Sequence, residues 1–228
     1  MQPQVQVLSN DRVYGVARHK VLRNTYLLLA LTMVPTVIGA VVGMSTAGIL
    51  MRHPIMASLL MMGALIGLQY AIAANRNSGV GIVLLLGMTL LMGWWLGPML
   101  NFALSMRNGP QLVGLAAAGT GGILLVMSAI ATTSKRDFSG MGRFLMVGMV
   151  VLLLAGLANM FFQLPALTLT LSCLAVVVFS LFLLHDVSRI VNGGETNYIM
   201  AATGVYMSLY NIFANLLSLL TAFGGERD

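Results

Sequence analysis

Polar and apolar positions along this chain fall into long blocks rather than alternating. Between successive charged residues lie uncharged stretches at 24–51, 53–75, 77–106, 108–134, 144–185 and 196–225. Their lengths are 28, 23, 30, 27, 42 and 30 residues. A helix that crosses hydrocarbon needs about 20 apolar residues. Five stretches therefore hold one span each. The longest holds two, with a turn at Phe161-Phe162-Gln163-Leu164-Pro165. The pattern predicts an all-α integral membrane fold with seven transmembrane helices over 25–47, 54–74, 79–100, 111–133, 143–161, 165–187 and 198–222. Pro54, Pro110 and Pro165 stand where proline suits the first turn of a helix. What remains is an N-terminal tail at 1–24, a seven-helix domain at 25–222 and a short C-terminal tail at 223–228.

Composition agrees. Of 228 residues, 8% are charged and 58% hydrophobic, against roughly 25% charged in soluble domains. A soluble fold could not cover that much apolar surface. A bilayer solvates it, and only helices or closed barrels satisfy the backbone there. Unbroken apolar runs favour helices over a barrel. Residues 1–24 are polar and lack an apolar core of their own, so no cleavable signal is expected.

The net charge of +6 is a topology signal. Arg12, Arg18, Lys20, Arg23, Arg76, Lys135, Arg136, Arg143 and Arg189 fall on the side of the N-terminus. Arg52, Arg107 and Arg227 fall on the other. Nine against three predicts a cytoplasmic N-terminus and a periplasmic C-terminus in an inner membrane. The dispersal of these residues over several loops argues against nucleic acid as a partner.

Enzyme chemistry is not signalled. No His-Glu-x-x-His, Gly-x-Ser-x-Gly or P-loop occurs, and Gly119-Thr120-Gly121-Gly122 follows no strand. His19, His53 and His185 lie in separate segments, so no metal site or cofactor is expected. Cys173 falls within a span and reads as a buried structural thiol. Trp94 and Trp95 read as interfacial anchors. The pairs Gly39/Gly43, Gly63/Gly67 and Gly93/Gly97 clear grooves for close helix approach, and are expected to be used within the bundle rather than for homodimerisation.

The C-terminal third carries the candidate chemistry. Asp186 ends the longest uncharged stretch, where an acid needs a wet cavity or a partner. It can serve as a proton-sensitive gate, or pair with Arg189 three residues on. In the last span Gly204, Ser208, Asn211, Asn215 and Ser218 recur at steps of four, three, four and three. At 100° per residue they share a sector about 80° wide, predicted to face into the bundle. Tyr206, Tyr210, Phe213 and Leu217 fall opposite, toward lipid or a neighbour. The stripe suits interhelical hydrogen bonding or the wall of a hydrated path.

At these residues the chain resembles the Bax inhibitor-1 family. The resemblance rests on His185-Asp186-Val187-Ser188-Arg189-Ile190, Gly193-Gly194-Glu195-Thr196-Asn197-Tyr198-Ile199 and Ser208-Leu209-Tyr210-Asn211-Ile212-Phe213. Further matches are His19-Lys20-Val21-Leu22-Arg23-Asn24-Thr25-Tyr26, Leu96-Gly97-Pro98-Met99-Leu100-Asn101, Ala158-Asn159 and Gln163-Leu164-Pro165-Ala166-Leu167. The chain is most similar to the family's bacterial YccA branch. The resemblance implies six helices wrapped around a central seventh. It also implies two activities: binding and inhibiting the FtsH membrane protease as a poorly degraded substrate, or a pH-sensitive calcium (Ca2+) leak governed by two aspartates. Asp186 matches the first aspartate. Ser208, between Tyr206 and Asn211, stands where the second is expected, and two close carboxylates can share a proton whereas aspartate and serine cannot. The arginine that some family channels carry in helix two has no counterpart in 53–75. Both departures favour the protease modulator.

Overall fold

The computed structural model describes residues 4–134 and 136–225, with side chains from His19 onward. The described residues form helices α1 (Gln4–Ser45), α2 (Ala47–Arg52), α3 (Pro54–Ala74), α4 (Gly79–Leu104), α5 (Gly109–Thr133), α6 (Gly142–Phe162), α7 (Pro165–Val191) and α8 (Tyr198–Gly224), with a single 3₁₀ turn at Ser139–Met141. Seven segments are long and apolar enough to cross a membrane: His19–Ser45, Pro54–Ala74, Gly79–Leu104, Gly109–Thr133, Ser139–Phe162, Pro165–Val191 and Tyr198–Gly224. The chain is an all-helical, seven-span membrane protein.

Local chemistry sets the ends of these helices. Pro54, Pro110 and Pro165 each occupy a first-turn position, where a missing N–H costs no hydrogen bond. Gln163 ends α6 in the left-handed region at φ 51°. Asn159 holds that turn: its Oδ1 accepts from the Leu164 N–H at 3.0 Å, and its Nδ2 donates to Thr168 Oγ1 at 2.7 Å. This is the turn predicted inside the 42-residue stretch. α4, α5, α7 and α8 run two to four residues beyond the predicted limits at one end, and α2 was not foreseen. α1 begins at Gln4, so its helix continues well past the membrane-competent segment that starts at His19.

α8 is the axis of the bundle. From Asn197 to Thr221 no residue is exposed, and the helix packs against α1, α3, α4, α5 and α7. α6 is the outermost span: it seats on α7, and Leu145 is its one buried residue. Two buried clusters surround α8. The larger joins Ile72, Leu85, Met88, Leu183, Val187, Val205 and Ile212 toward the end of the bundle that holds loops 75–78 and 192–197. The smaller joins Ala103, Met106, Leu112, Ala116 and Leu217 toward the opposite end. Outward faces carry Leu27, Val34, Leu60, Val83, Leu125, Val147 and Leu154, the apolar exterior that lipid tails solvate.

Lipid tails are as apolar as leucine, so close packing and hydrogen bonds must hold these helices together. The tightest contact is α1 on α4. A Cβ on Gly39 would strike the Leu90 carbonyl, on Gly43 the Trp94 carbonyl, on Gly93 the Thr36 carbonyl, and on Gly97 the backbone of Gly43. Two glycine pairs thus interlock backbone to backbone within the bundle, as predicted. The third does not: Gly63 and Gly67 face outward with nothing within 4 Å of an added Cβ, because α3 turns that side away from α4. Cys173 is exposed on the outer face of α7, not buried. Thr46, just past the end of α1, accepts from Trp94 Nε1 at 2.8 Å, and Trp94 and Trp95 are both half-buried.

Candidate functional site

The predicted stripe on α8 and the acid on α7 meet at one point. A Cβ on Gly204 would lie 2.9 Å from Asp186 Oδ2, so the carboxylate rests directly on the central helix where glycine leaves room. Asp186 forms no hydrogen bond among the described residues and no ion pair with Arg189. Arg189 instead donates from Nη2 to Glu195 Oε2 at 3.1 Å. Ser208 lies one turn beyond Gly204, is buried and forms no hydrogen bond with Asp186. Asn211 is about 10 Å further along the axis than Gly204, so the structure brings together Asp186 and Gly204 but not Asp186 and Asn211.

The remaining stripe residues line open space. Asn211 and Asn215 border a cavity of about 420 Å³ that also takes walls from α3, α4, α6 and α7. Ser218 borders a recess of about 530 Å³ at the far end, with Asn159, Gln163 and Thr168. The opposite face of α8 meets neighbours, not lipid. The hydroxyls of Tyr206 and Thr36 are 2.8 Å apart. Thr36 already donates to Thr32 O at 2.7 Å, so Tyr206 is the donor. Tyr210 donates to Met92 O at 3.0 Å, and Leu217 is fully buried.

At the end of α7 that bears Asp186 lies a polar collar whose contacts the sequence did not reveal. Asp137 Oδ1 accepts from the Ser139 N–H at 2.9 Å, from Asn192 Nδ2 at 3.0 Å and from Ser188 Oγ at 3.3 Å. The Phe138 N–H donates to Ser188 Oγ at 3.0 Å. His185 is buried, and its Nδ1 lies 3.1 Å from Phe138 O. A carbonyl only accepts, so Nδ1 carries the proton. Together these bonds clamp loop 136–141 onto the end of α7 that bears Asp186.

The Gly-Gly-Glu-Thr-Asn block closes the collar. Gly193 adopts φ 78°, which glycine takes without strain. Asn197 caps α8, its Oδ1 accepting from the N–H groups of Ile199 and Met200. Its Nδ2 donates to Arg76 O at 2.8 Å and to Asn77 Oδ1 at 2.9 Å. Glu195 Oε1 accepts from the Asn197 N–H at 2.9 Å. One residue thereby links the start of the central helix to the α3–α4 loop.

Residues 18–225 match the family model described as inhibitor of apoptosis-promoting Bax1. The chain is 40% identical to the Escherichia coli protein named modulator of FtsH protease YccA, over 93% of this chain and 94% of that protein. It is 42% identical to an uncharacterised membrane protein of Vibrio cholerae, over 89% of each. A Campylobacter jejuni protein is 30% identical over 90% of this chain.

Proposed function

Because this chain belongs to the Bax inhibitor family, we propose that it is an inner-membrane protein that binds an FtsH-type protease and restrains it by occupying it as a poorly degraded substrate. The observation that carries this reading is the likeness, over 93% of this chain, to a protein named modulator of FtsH protease. Two features of the architecture support it. First, α1 extends from Gln4 to the membrane-competent segment at His19. That is about 22 Å of helix outside the span, a handle for a cytoplasmic ATPase. Second, a pull on that handle falls on α1, the helix locked to α4 through Gly39, Gly43, Gly93 and Gly97. A protease that seizes the tail meets its stiffest contact at the first span.

A second reading has its own observation. Asp186 rests against Gly204 of the central helix without a hydrogen bond, a placement suited to a proton-sensitive gate in a calcium or cation leak, with Ser208 and Asn211 further along the same helix. Gly204, Asn215 and Ser218 would then belong to the wall of the ion path. The serine at 208 removes the second carboxylate of such a gate, which is why the modulator reading is preferred.

One preparation tests both. The protease should co-purify with the full chain from membranes, and deletion of residues 2–18 should leave a folded protein that loses this association and is degraded more slowly. Unchanged association and lifetime in cells with active protease would remove the handle from the proposal. Strong, pH-gated calcium flux in liposomes holding this protein alone would decide for the leak.

A further inference from the structure

The 420 Å³ cavity beside α8 contains polar groups that its own walls leave unused. Leu65 of α3, Trp95 of α4, Leu153 of α6, Phe179 of α7, and Asn211 and Asn215 of α8 are among its lining, and no charged residue is. α6 seats on α7 and α3 on α4, with no substantial packing between α3 and α6. The cavity therefore opens between those two helices, toward hydrocarbon.

Asn211 and Asn215 each donate Nδ2 to a carbonyl of their own helix, Met207 O and Asn211 O, both at 2.8 Å. Among the described residues their Oδ1 atoms accept no hydrogen bond and the Trp95 indole N–H donates none. Yet among the described residues every buried side-chain N or O atom sealed from solvent-sized space does have a partner, so these three groups are reachable. The lining residues thus carry two acceptors and one donor without partners, beside Tyr210, whose hydroxyl is bonded to Met92 O, in a wall that is otherwise apolar. Leaving such groups bare at membrane depth is costly. A cavity that is mostly apolar does not hold water along its length, since each buried water needs two to four polar partners. A molecule with a small hydroxylated head and an alkyl chain meets both demands. Two hydroxyls donate to the two amide oxygens, a head oxygen accepts from the indole, and the chain covers Leu65, Leu153 and Phe179. A charged head would be buried without a counterion.

We propose that this cavity binds an uncharged single-chain amphiphile from the bilayer with a dihydroxylated head, of which a monoacylglycerol is the simplest case. Gly156 supplies a direct test. It lines the cavity, and an added Cβ there meets nothing within 4 Å, so the side chain of Gly156→Leu starts into open space at the cavity wall.

The experiment uses the full chain in phosphatidylcholine nanodiscs with a monoacylglycerol carrying a photoreactive diazirine on its chain. Labelled peptides should map to 149–156 and 207–215. Gly156→Leu should cut that labelling at least about tenfold. Unlabelled monoacylglycerol should compete, while an alkane or a fatty acid of equal chain length should not. Asn215→Leu should erase that preference for the hydroxylated head. Labelling spread over outward residues such as Leu60 and Val147 and indifferent to Gly156→Leu overturns the proposal. So does equal competition by the alkane, which is read on the unmodified protein and holds even if a variant fails to fold. Rapid modification of Leu153→Cys by a charged thiol reagent, in a Cys173→Ala background, would show a water-filled cavity and overturn it too.

Discussion

Asp137 shows how much a single exposed side chain can organise. Its hydrogen bonds with Ser139, first the hydroxyl and then the N–H, hold its carboxyl below the usual carboxylate range, helped by Ser188 and Asn192. A depressed folded-state pKa means that its contribution is complete above the ordinary carboxylate pKa and is lost only as pH falls through the lower, folded value. The carboxylate's share in the clamp of loop 136–141 on α7 is therefore complete at neutral pH and is lost only as pH falls through that lower value. Asp137→Ala should speed amide exchange at Phe138 and Ser139 severalfold at neutral pH, with Asp137→Asn intermediate because it keeps one acceptor. Unchanged exchange in the alanine variant would show that Ser188 and His185 hold the loop without the carboxylate. Asp186 and the α8 stripe were legible in the sequence because an acid beside a long apolar run and a three-four spacing are visible in one dimension. The collar was not. Asp137 meets Ser188 and Asn192, and Phe138 meets His185, across some fifty positions, and short polar residues in a loop look ordinary until the loop is docked. The same limit left the aromatic face of α8 open between lipid and a neighbour: its angle was readable, but not that α1 and α4 would stand beside it.

Among the elements, α1 and α4 depend on each other more than hydropathy could indicate. Glycine pairs recur at one spacing in three helices, and that spacing alone does not tell which pair is used. The backbone contacts separate them: Gly43 and Gly97 touch, while Gly63 and Gly67 face open space. Gly97→Leu should therefore destabilise the protein by several kcal/mol or prevent folding, since the helices cannot part without losing the rest of their contact. Gly63→Leu should stay within about 0.5 kcal/mol, the range of unremarkable surface changes. Thermal melts of the two purified variants in one detergent provide the check. A large loss from Gly63→Leu would point to an interface on the outer face of α3. Seven spans were legible as elements because charge separates most of the apolar runs and Gln163-Leu164-Pro165 divides the one that charge leaves unbroken. Helix ends were less so: α1 runs on into polar sequence, and α7 continues through Asp186 to Val191, since a helix keeps its hydrogen bonds after its hydropathy falls.

For the whole molecule, the question that geometry leaves to charge is which way the bundle stands in the membrane. The helices alternate, so the start of α1 and loops 75–78, 134–138 and 192–197 share one end, with loops 46–53, 105–108 and 163–164 at the other. Among the described residues the first end collects eight Lys and Arg residues, including Lys20, Arg23, Arg76, Arg136, Arg143 and Arg189. The second holds Arg52 and Arg107. Positive loops are retained on the cytoplasmic side, which predicts that the collar around Asp186 faces the cytoplasm and that the recess at Ser218 faces the periplasm. A reporter fused after Asp228 should be active only in the periplasm, and one placed ahead of Gln2 only in the cytoplasm. The orientation also bears on the proposed role. The α1 extension, the loop clamp and the Asn197 link would all stand on the side where an ATPase works. A cytoplasmic reporter signal from the C-terminus would reverse the bundle or remove a span. It would put the tail beyond reach of such a protease, and the modulator reading would fall with it.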